Sequence, residues 1–310
     1  MQYLSKVSGL GRLVESMKAN TDIEQYLSKL SGLVRIVWRH NNHVFTVQGK
    51  SEHNVRLSND SDTCIIEAMC ILPSGQVLVV DRNNRKFKLL NEQYRVVDHL
   101  VYVTLMSHYY VNHMCMITPR EVAMAVYGDK DTSMVQFITV TQSKLELVRG
   151  RNLQLQHDCT GIAHHQGELF ICSGLVLYNF FLNGKMISKL YQDRSLDRCA
   201  VSPTGDKLYI ISRLEQKLVT LARDGTLLAT LTYPEFPEDV HVTPECQVLI
   251  CGWPSNTILQ IDSEGRSKLA TLVTGRDRVH SPLSVCYSSI TSSIIVGMWM
   301  NNNILVFRVE

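Results

Sequence analysis

The sequence predicts an all-β fold, a six-bladed β-propeller, on three observations. Turn signals recur at intervals of roughly forty residues through most of the 310-residue chain. Each is followed by an apolar strand, and a polar stretch beyond that strand leads to a further strand and a second hairpin signal. A period of this size written in strands rather than helices marks blades set around an axis, each covering its neighbour.

Residues 1–40 stand apart from the repeat. Gln2-Tyr3-Leu4-Ser5-Lys6-Val7-Ser8-Gly9-Leu10 returns as Gln25-Tyr26-Leu27-Ser28-Lys29-Leu30-Ser31-Gly32-Leu33, an internal duplication. Leu13, Val14 and Met17, then Ile23, Tyr26, Leu27 and Leu30, fall at helical spacing. The expectation is a helical linker broken at Gly9, Gly11 and Gly32. It reads either as the tail of a coiled coil through which the chain oligomerises or as a plain connector.

The propeller is expected over residues 41–310. Its turns centre on Gly75, Glu121, Gly167, Gly205, Cys246 and Thr291. Leu72-Pro73-Ser74-Gly75 and Ser202-Pro203-Thr204-Gly205 are the clearest copies. Proline presets φ at the first turn position, and glycine supplies a positive φ later. Glu121 and Cys246 depart from that pattern, which leaves the form of those two turns open. The second turns read Leu182-Asn183-Gly184-Lys185, Arg223-Asp224-Gly225-Thr226 and Ser263-Glu264-Gly265-Arg266, where Asn-Gly and Asp-Gly are strong hairpin signals. The last unit stops at Glu310 without a fourth strand. Val44-Phe45-Thr46-Val47 or Asn54-Val55-Arg56-Leu57 is expected to complete it and close the ring.

Composition excludes several classes. A hydrophobic content of 45% is ample for a core, and a formal net charge of +2 argues neither for nor against a polyanionic partner. No run of apolar residues is long enough to span a membrane, and Met1–Lys6 lacks the apolar core of a signal peptide. The expectation is a cytoplasmic protein. Its nine cysteines, without a Cys-x-x-Cys pair, read as reduced, buried thiols rather than as a zinc site.

Chemistry is sparse. No nucleophile triad or phosphate loop is written in the chain, so it is expected to be non-catalytic, with no cofactor and no metal. His164-His165 falls at a turn, where alternation points the two rings apart. Calcium-dependent lactonase chemistry at the axis would need carboxylates on the inner strands. Ile71, Val201, Val242 and Val285 read as an apolar lining there, and Asp81, Asp129 and Asp131 fall in loops.

Binding is better signalled. Trp253 and Trp299 follow the second strands of their blades at equivalent places, and Arg82 shares that loop position. These loops open on one face of the ring, where exposed aromatics anchor protein partners. The rival is single-stranded RNA on a basic face. Arg82, Arg85, Lys86 and Lys88 would supply its charge with Arg194, Arg198, Arg213, Arg276 and Arg278, and Tyr191, Trp253 and Trp299 its stacking.

The run Gly75-Gln76-Val77-Leu78-Val79-Val80-Asp81-Arg82-Asn83-Asn84-Arg85-Lys86-Phe87-Lys88 resembles an NHL repeat. From about residue 41 onward the chain resembles the C-terminal propeller of the tripartite-motif-like proteins of bivalve molluscs, a likeness also carried by Thr46–Val55, Gly161–Gly167 and Ser293–Gly297. Such proteins place a RING finger, B-boxes and a coiled coil ahead of the propeller; the RING acts as a ubiquitin ligase, and the propeller selects the target or binds RNA. No RING or B-box cysteine–histidine pattern is present here. The resemblance therefore implies a truncated relative or C-terminal fragment, with target recognition but no ligase chemistry on any residue of this chain.

Overall fold

The computed structural model describes residues 43–102, 110–128, 133–141, 143–233 and 236–310. Two compact units divide the chain, Met1–His43 and Val44–Glu310. The helical linker and oligomer-forming segment expected over residues 1–40 lie outside the described residues.

The second unit is built of six four-stranded antiparallel sheets. The first strand, β1 (Val47–Asn54), belongs to the last sheet. Blade 1 is β2 (Ile66–Ile71), β3 (Val77–Asp81), β4 (Lys86–Leu90) and β5 (Val96–Val101). Blade 2 is β6 (Tyr110–Thr118), β7 (Glu121–Tyr127), β8 (Met134–Thr141) and β9 (Lys144–Gln154). Blade 3 is β10 (Gly161–His165), β11 (Glu168–Cys172), β12 (Gly174–Phe181) and β13 (Met186–Leu196). Blade 4 is β14 (Arg198–Val201), β15 (Lys207–Ser212), β16 (Lys217–Ala222) and β17 (Leu227–Thr232). Blade 5 is β18 (Pro237–Val242), β19 (Val248–Gly252), β20 (Thr257–Ile261) and β21 (Lys268–Val273). Blade 6 joins β22 (Pro282–Ser288), β23 (Ser293–Met298) and β24 (Asn303–Val309) to β1. The first strands β2, β6, β10, β14, β18 and β22 touch in that order and β22 returns to β2, so they line the axis of a closed six-bladed propeller.

Apolar alternation explains how the blades stack. In blade 1, Phe87 and Leu89 share a buried cluster with Met124 and Ile138 of blade 2. Val77 and Val79 turn the other way, into a cluster with Ile295 and Val306 of blade 6. Four more clusters fill the remaining blade interfaces. Middle strands are therefore buried on both faces, as along all of β3, whereas the outer β5 alternates half-buried with exposed residues. Each fully buried aliphatic side chain contributes about 2 kcal/mol to holding blade on blade.

Closure occurs as expected, with a different strand. β1 pairs with β24 from Val47↔Val309 to Asn54↔Asn303, and Thr46 and Glu310 extend the ladder through reciprocal backbone bonds of 2.9 and 3.1 Å. The strand spans the gap between the two apolar segments proposed from sequence and touches each at one residue. An outermost strand faces solvent and is held by its backbone, so a mostly exposed polar run, Val-Gln-Gly-Lys-Ser-Glu-His-Asn, serves.

Both irregular turns form. Cys246 takes φ 63° and donates its N–H to Thr243 O at 2.9 Å, matching Gly75 on Leu72 O and Gly205 on Ser202 O, both at 2.8 Å. Glu121 needs no left-handed backbone, because it opens β7 paired with Thr118 and the turn shortens to Pro119–Arg120.

Candidate functional site

Strand direction alternates outward through each blade. Loops between second and third strands therefore share one face of the ring with the connections between blades, and the glycine-type turns occupy the other. On the first face, the residue that opens the second-to-third-strand loop is Arg213 in blade 4, Trp253 in blade 5, Trp299 in blade 6 and Arg82 in blade 1. Those four blades are consecutive around the ring, so the side chains form an arc.

Backbone bonds fix the arc in place. Arg82 N donates to Ile65 O at 2.9 Å, Trp253 N to Phe236 O at 3.2 Å and Trp299 N to Ser281 O at 2.9 Å. Arg213 N donates to Asp197 Oδ2 at 2.9 Å. The tryptophans stay open to solvent, Trp253 at 41% and Trp299 at 39%, and Leu214 beside Arg213 is 75% exposed. Phe236 and Met300 add exposed apolar surface on the same face. The Arg82 guanidinium carbon lies 5.0 Å from the Trp299 ring centroid, a cation–π contact across the blade 6–blade 1 boundary.

Beneath the arc lies a charged floor that the sequence reading missed. Ile71, Val201, Val242 and Val285, expected as an apolar axial lining, pack into the clusters between blades. Glu67, His113, Arg198, Glu238 and Asp239 are buried on the inner strands. Arg198 donates from Nη2 to Glu67 Oε1 at 2.5 Å, and from Nη1 to Glu67 O at 3.0 Å and Leu283 O at 3.1 Å. Its Nη1 is also 3.6 Å from Asp239 Oδ1. One arginine thus ties blade 4 to blades 1, 5 and 6.

His113 Nδ1 accepts from Ile162 N at 3.1 Å, which leaves Nε2 to carry the ring proton 3.4 Å from Asp239 Oδ1. Burial pushes the Asp239 carboxyl up, but His113 and Arg198 outweigh it and hold the group below the ordinary carboxylate range. Above the floor, Arg82 Nη1 lies 3.1 Å from Glu67 Oε2, and Arg213 Nη2 donates to Glu238 Oε1 at 2.8 Å. Burial still raises the Glu238 carboxyl. A usable signal was present: a charged residue opens or interrupts an inner-strand apolar run at Ile66-Glu67-Ala68, Arg198-Cys199-Ala200 and Glu238-Asp239-Val240.

Three residues expected on a basic, aromatic surface are elsewhere, and so is Arg198. Lys86 and Lys88 are buried on the blade 6 side of β4. Lys88 Nζ lies 2.6 Å from Asp60 Oδ2 and 2.7 Å from Asp81 Oδ2, and Lys86 Nζ 2.6 Å from Asp60 Oδ1. Burial alone would lower the Lys88 ammonium, but its two carboxylates keep it raised. Tyr191 sits within the outer strand β13, its ring packed against the blade 3–blade 4 core and its hydroxyl on Asp193 at 3.2 Å. Arg85 and Arg194 are exposed, and Arg85 closes its loop at φ 51°.

Asp60, Cys64 and Asp81 place ligand-type atoms within 4.8 Å of one another. Lys88 Nζ occupies the place a cation would take and is 3.4 Å from Cys64 Sγ, while burial beside Asp81 pushes that thiol up to about 12. Asp81 is fully engaged by Lys88 and Asn84 and by the Ile65 N–H. Asp129 and Asp131 lie outside the described residues. His164 is half-buried at its turn, where it bridges Met116 O at 3.2 Å and the Gly167 N–H at 3.1 Å. All nine cysteines are free thiols, seven buried and two half-buried. Among the described residues no helix is long and apolar enough to cross a membrane.

No family model matches the chain, and no curated protein matches it in sequence. Solved structures do resemble it. Virginiamycin B lyase from Staphylococcus aureus aligns at TM-score 0.58 and 10% identity, covering 86% of this chain and 99% of its own. A streptogramin B lyase gives 0.58 and 9%, covering 84% and 98%. A protein of unknown function from Bacteroides thetaiotaomicron gives 0.62 and 9%, covering 84% and 76%. At such identity the likeness is one of fold, a six-bladed propeller.

Proposed function

We propose that this propeller is a non-catalytic recognition module that docks a partner protein on the loop face. The observation that carries the reading is the arc Arg213–Trp253–Trp299–Arg82, one loop position in four successive blades with both tryptophans exposed. Tryptophan and arginine are the residue types richest in binding energy at protein interfaces, and they act best when preorganised. Here backbone bonds hold the loop openings and ion pairs hold the two arginines before any partner arrives. Arg198 fills the axial end of the floor, a place where a hydrolase would need an open, converging site. The NHL-like phrasing of blade 1 supports target recognition of the tripartite-motif type, and free, mostly buried thiols suit a cytoplasmic setting.

The test is a selection of random phage-displayed peptides on the full chain, followed by binding to the Trp253→Ala/Trp299→Ala variant. Selected peptides should lose about thirtyfold or more in affinity, since even one anchor of this kind is worth about 2 kcal/mol. Unchanged affinity would remove the reading.

Single-stranded RNA is the second reading, favoured by the exposed arginines Arg85, Arg194, Arg276 and Arg278. It is weakened by the burial of Lys86 and Lys88. Filter binding of an oligouridylate decides it, because RNA affinity on this face must fall steeply as salt rises.

A further inference from the structure

The charges around the arc narrow the partner. We propose that the docked segment is acidic: an extended peptide carrying Asp or Glu next to one or two large apolar residues. The inference rests on the docking reading above.

The tryptophans sit on the side of the face formed by blades 5, 6 and 1. Three connections border them. Arg56 lies between β1 and β2, Arg85 ends the β3–β4 loop, and Arg276 lies between β21 and β22; all three are exposed. Among the described residues no carboxylate lies within ion-pair distance of any of them. Their neighbours Arg82 and Arg278 are already matched, to Glu67 at 3.1 Å and Glu52 at 3.3 Å. Against these three guanidinium groups, of which Arg56 donates only to the Asp60 carbonyl at 3.4 Å, the described residues on this side of the face offer one exposed carboxylate without a cation, Asp62, which accepts a hydrogen bond from Ser61 Oγ at 2.9 Å; Asp277, beside Arg276, is half-buried and accepts from Thr274. No exposed lysine stands among the described loops and connections of this face. Unmatched arginines suit carboxylates, because the planar fork takes a carboxylate through two parallel bonds.

The apolar half of the face argues for peptide over nucleic acid. Single-stranded RNA needs a run of π-faces beside a continuous cationic track. Leu214 and Met300 offer no π-face, and the floor sets the carboxylates of Glu67, Glu238 and Asp239 around the one arginine Arg198 and His113 rather than a cationic track. A peptide can place one apolar side chain on Trp253 or Met300 and a neighbouring carboxylate on Arg85 or Arg276.

The experiment is a random dodecapeptide phage library panned on the full chain, with enriched peptides then resynthesised and titrated. Enriched clones should be richer in Asp and Glu than the naive library. Their affinity should fall about tenfold in Arg85→Glu/Arg276→Glu, a loss expected for removing charge-assisted bonds. Arg149→Glu, on the outer strand of blade 2, should leave it unchanged, and thermal melting should show all variants folded. Neutral or basic clones that still depend on Trp253 and Trp299 would overturn the acidic partner and leave the docking reading standing. Clones indifferent to both tryptophans, or no enrichment at all, would overturn both. Oligouridylate bound more tightly than every enriched peptide, with loss in Arg85→Glu/Arg276→Glu, would replace the peptide by RNA.

Discussion

Lys88 has no exposed surface, and two carboxylates lie within 2.7 Å of its ammonium. Burial opposes the charge on such a group, and the bonds to Asp60 and Asp81 outweigh it. Replacing Lys88 by Met keeps most of the stem and leaves Asp60 and Asp81 facing one another in the blade 6–blade 1 interface. The expected cost is about 3 kcal/mol, the lower end for breaking a buried pair, since Lys86 still holds Asp60. The pH dependence follows. The lysines hold the Asp60 carboxyl below its ordinary value despite burial, so its contribution is present above the ordinary carboxylate range and lost as pH falls through the lowered value. Urea unfolding should therefore show the gap between wild type and Lys88→Met closing in acid. A gap under about 1 kcal/mol at neutral pH would show that the cluster is not held by charge. The sequence hid this arrangement. Lys86-Phe87-Lys88 alternates like a strand with solvated lysines, and Asp60 stands in a different segment of the chain, where nothing local links it to them. Tyr191, expected to stack on RNA, likewise lies within a long outer strand, where its ring packs into the blade 3–blade 4 core.

At the scale of elements, turn chemistry was the legible part. Asn-Gly and Asp-Gly announced the outer hairpins, and Gly184, Gly225 and Gly265 all adopt positive φ. What the sequence could not announce is how near each turn comes to the next blade. A Cβ at Gly225, where φ is 92°, would fall 2.2 Å from Leu190 O, a backbone atom of β13 in the neighbouring blade. At Gly167, with φ 83°, a Cβ would meet nothing within 4 Å. Both glycines look alike in sequence and differ in what surrounds them. Gly167→Ala should cost only left-handed strain, about 1 kcal/mol. Gly225→Ala should cost that plus the displacement of a strand, about 2–3 kcal/mol in all. Equal melting temperatures for the two variants would contradict this packing of blade 4 on blade 3. The arc of Arg82, Arg213, Trp253 and Trp299 belongs to this scale too. The shared loop position of Arg82, Trp253 and Trp299 was readable because it repeats, whereas Arg213 was read only as basic charge and the floor left a weaker trace, one or two charged residues in the inner strands of four blades.

The whole ring is fastened in two places, at the rim by β1 on β24 and at the axis by Arg198. Blade number could be read from the count of turns; the rim strand could not, because it carries little apolar signal. These fastenings have different physical character. The axial one is a set of charge-assisted bonds that joins four blades but closes no ladder. The rim one is a backbone ladder seven pairings long that carries a strand from before blade 1 onto blade 6. Removing residues 1–54 would leave β24 with an unpaired edge from Asn303 to Val309, in which Ile304, Val306 and Phe307 are already buried apolar residues. An open apolar edge recruits other chains. The shortened protein should therefore elute partly as oligomers, and it should melt at a lower and concentration-dependent temperature. Restoring the segment 43–54 as a separate peptide should reverse both effects by re-pairing the edge. If the shortened chain elutes no larger than the full one and melts with it, then inter-blade packing and Arg198 alone keep the ring shut, and the β1 ladder is dispensable.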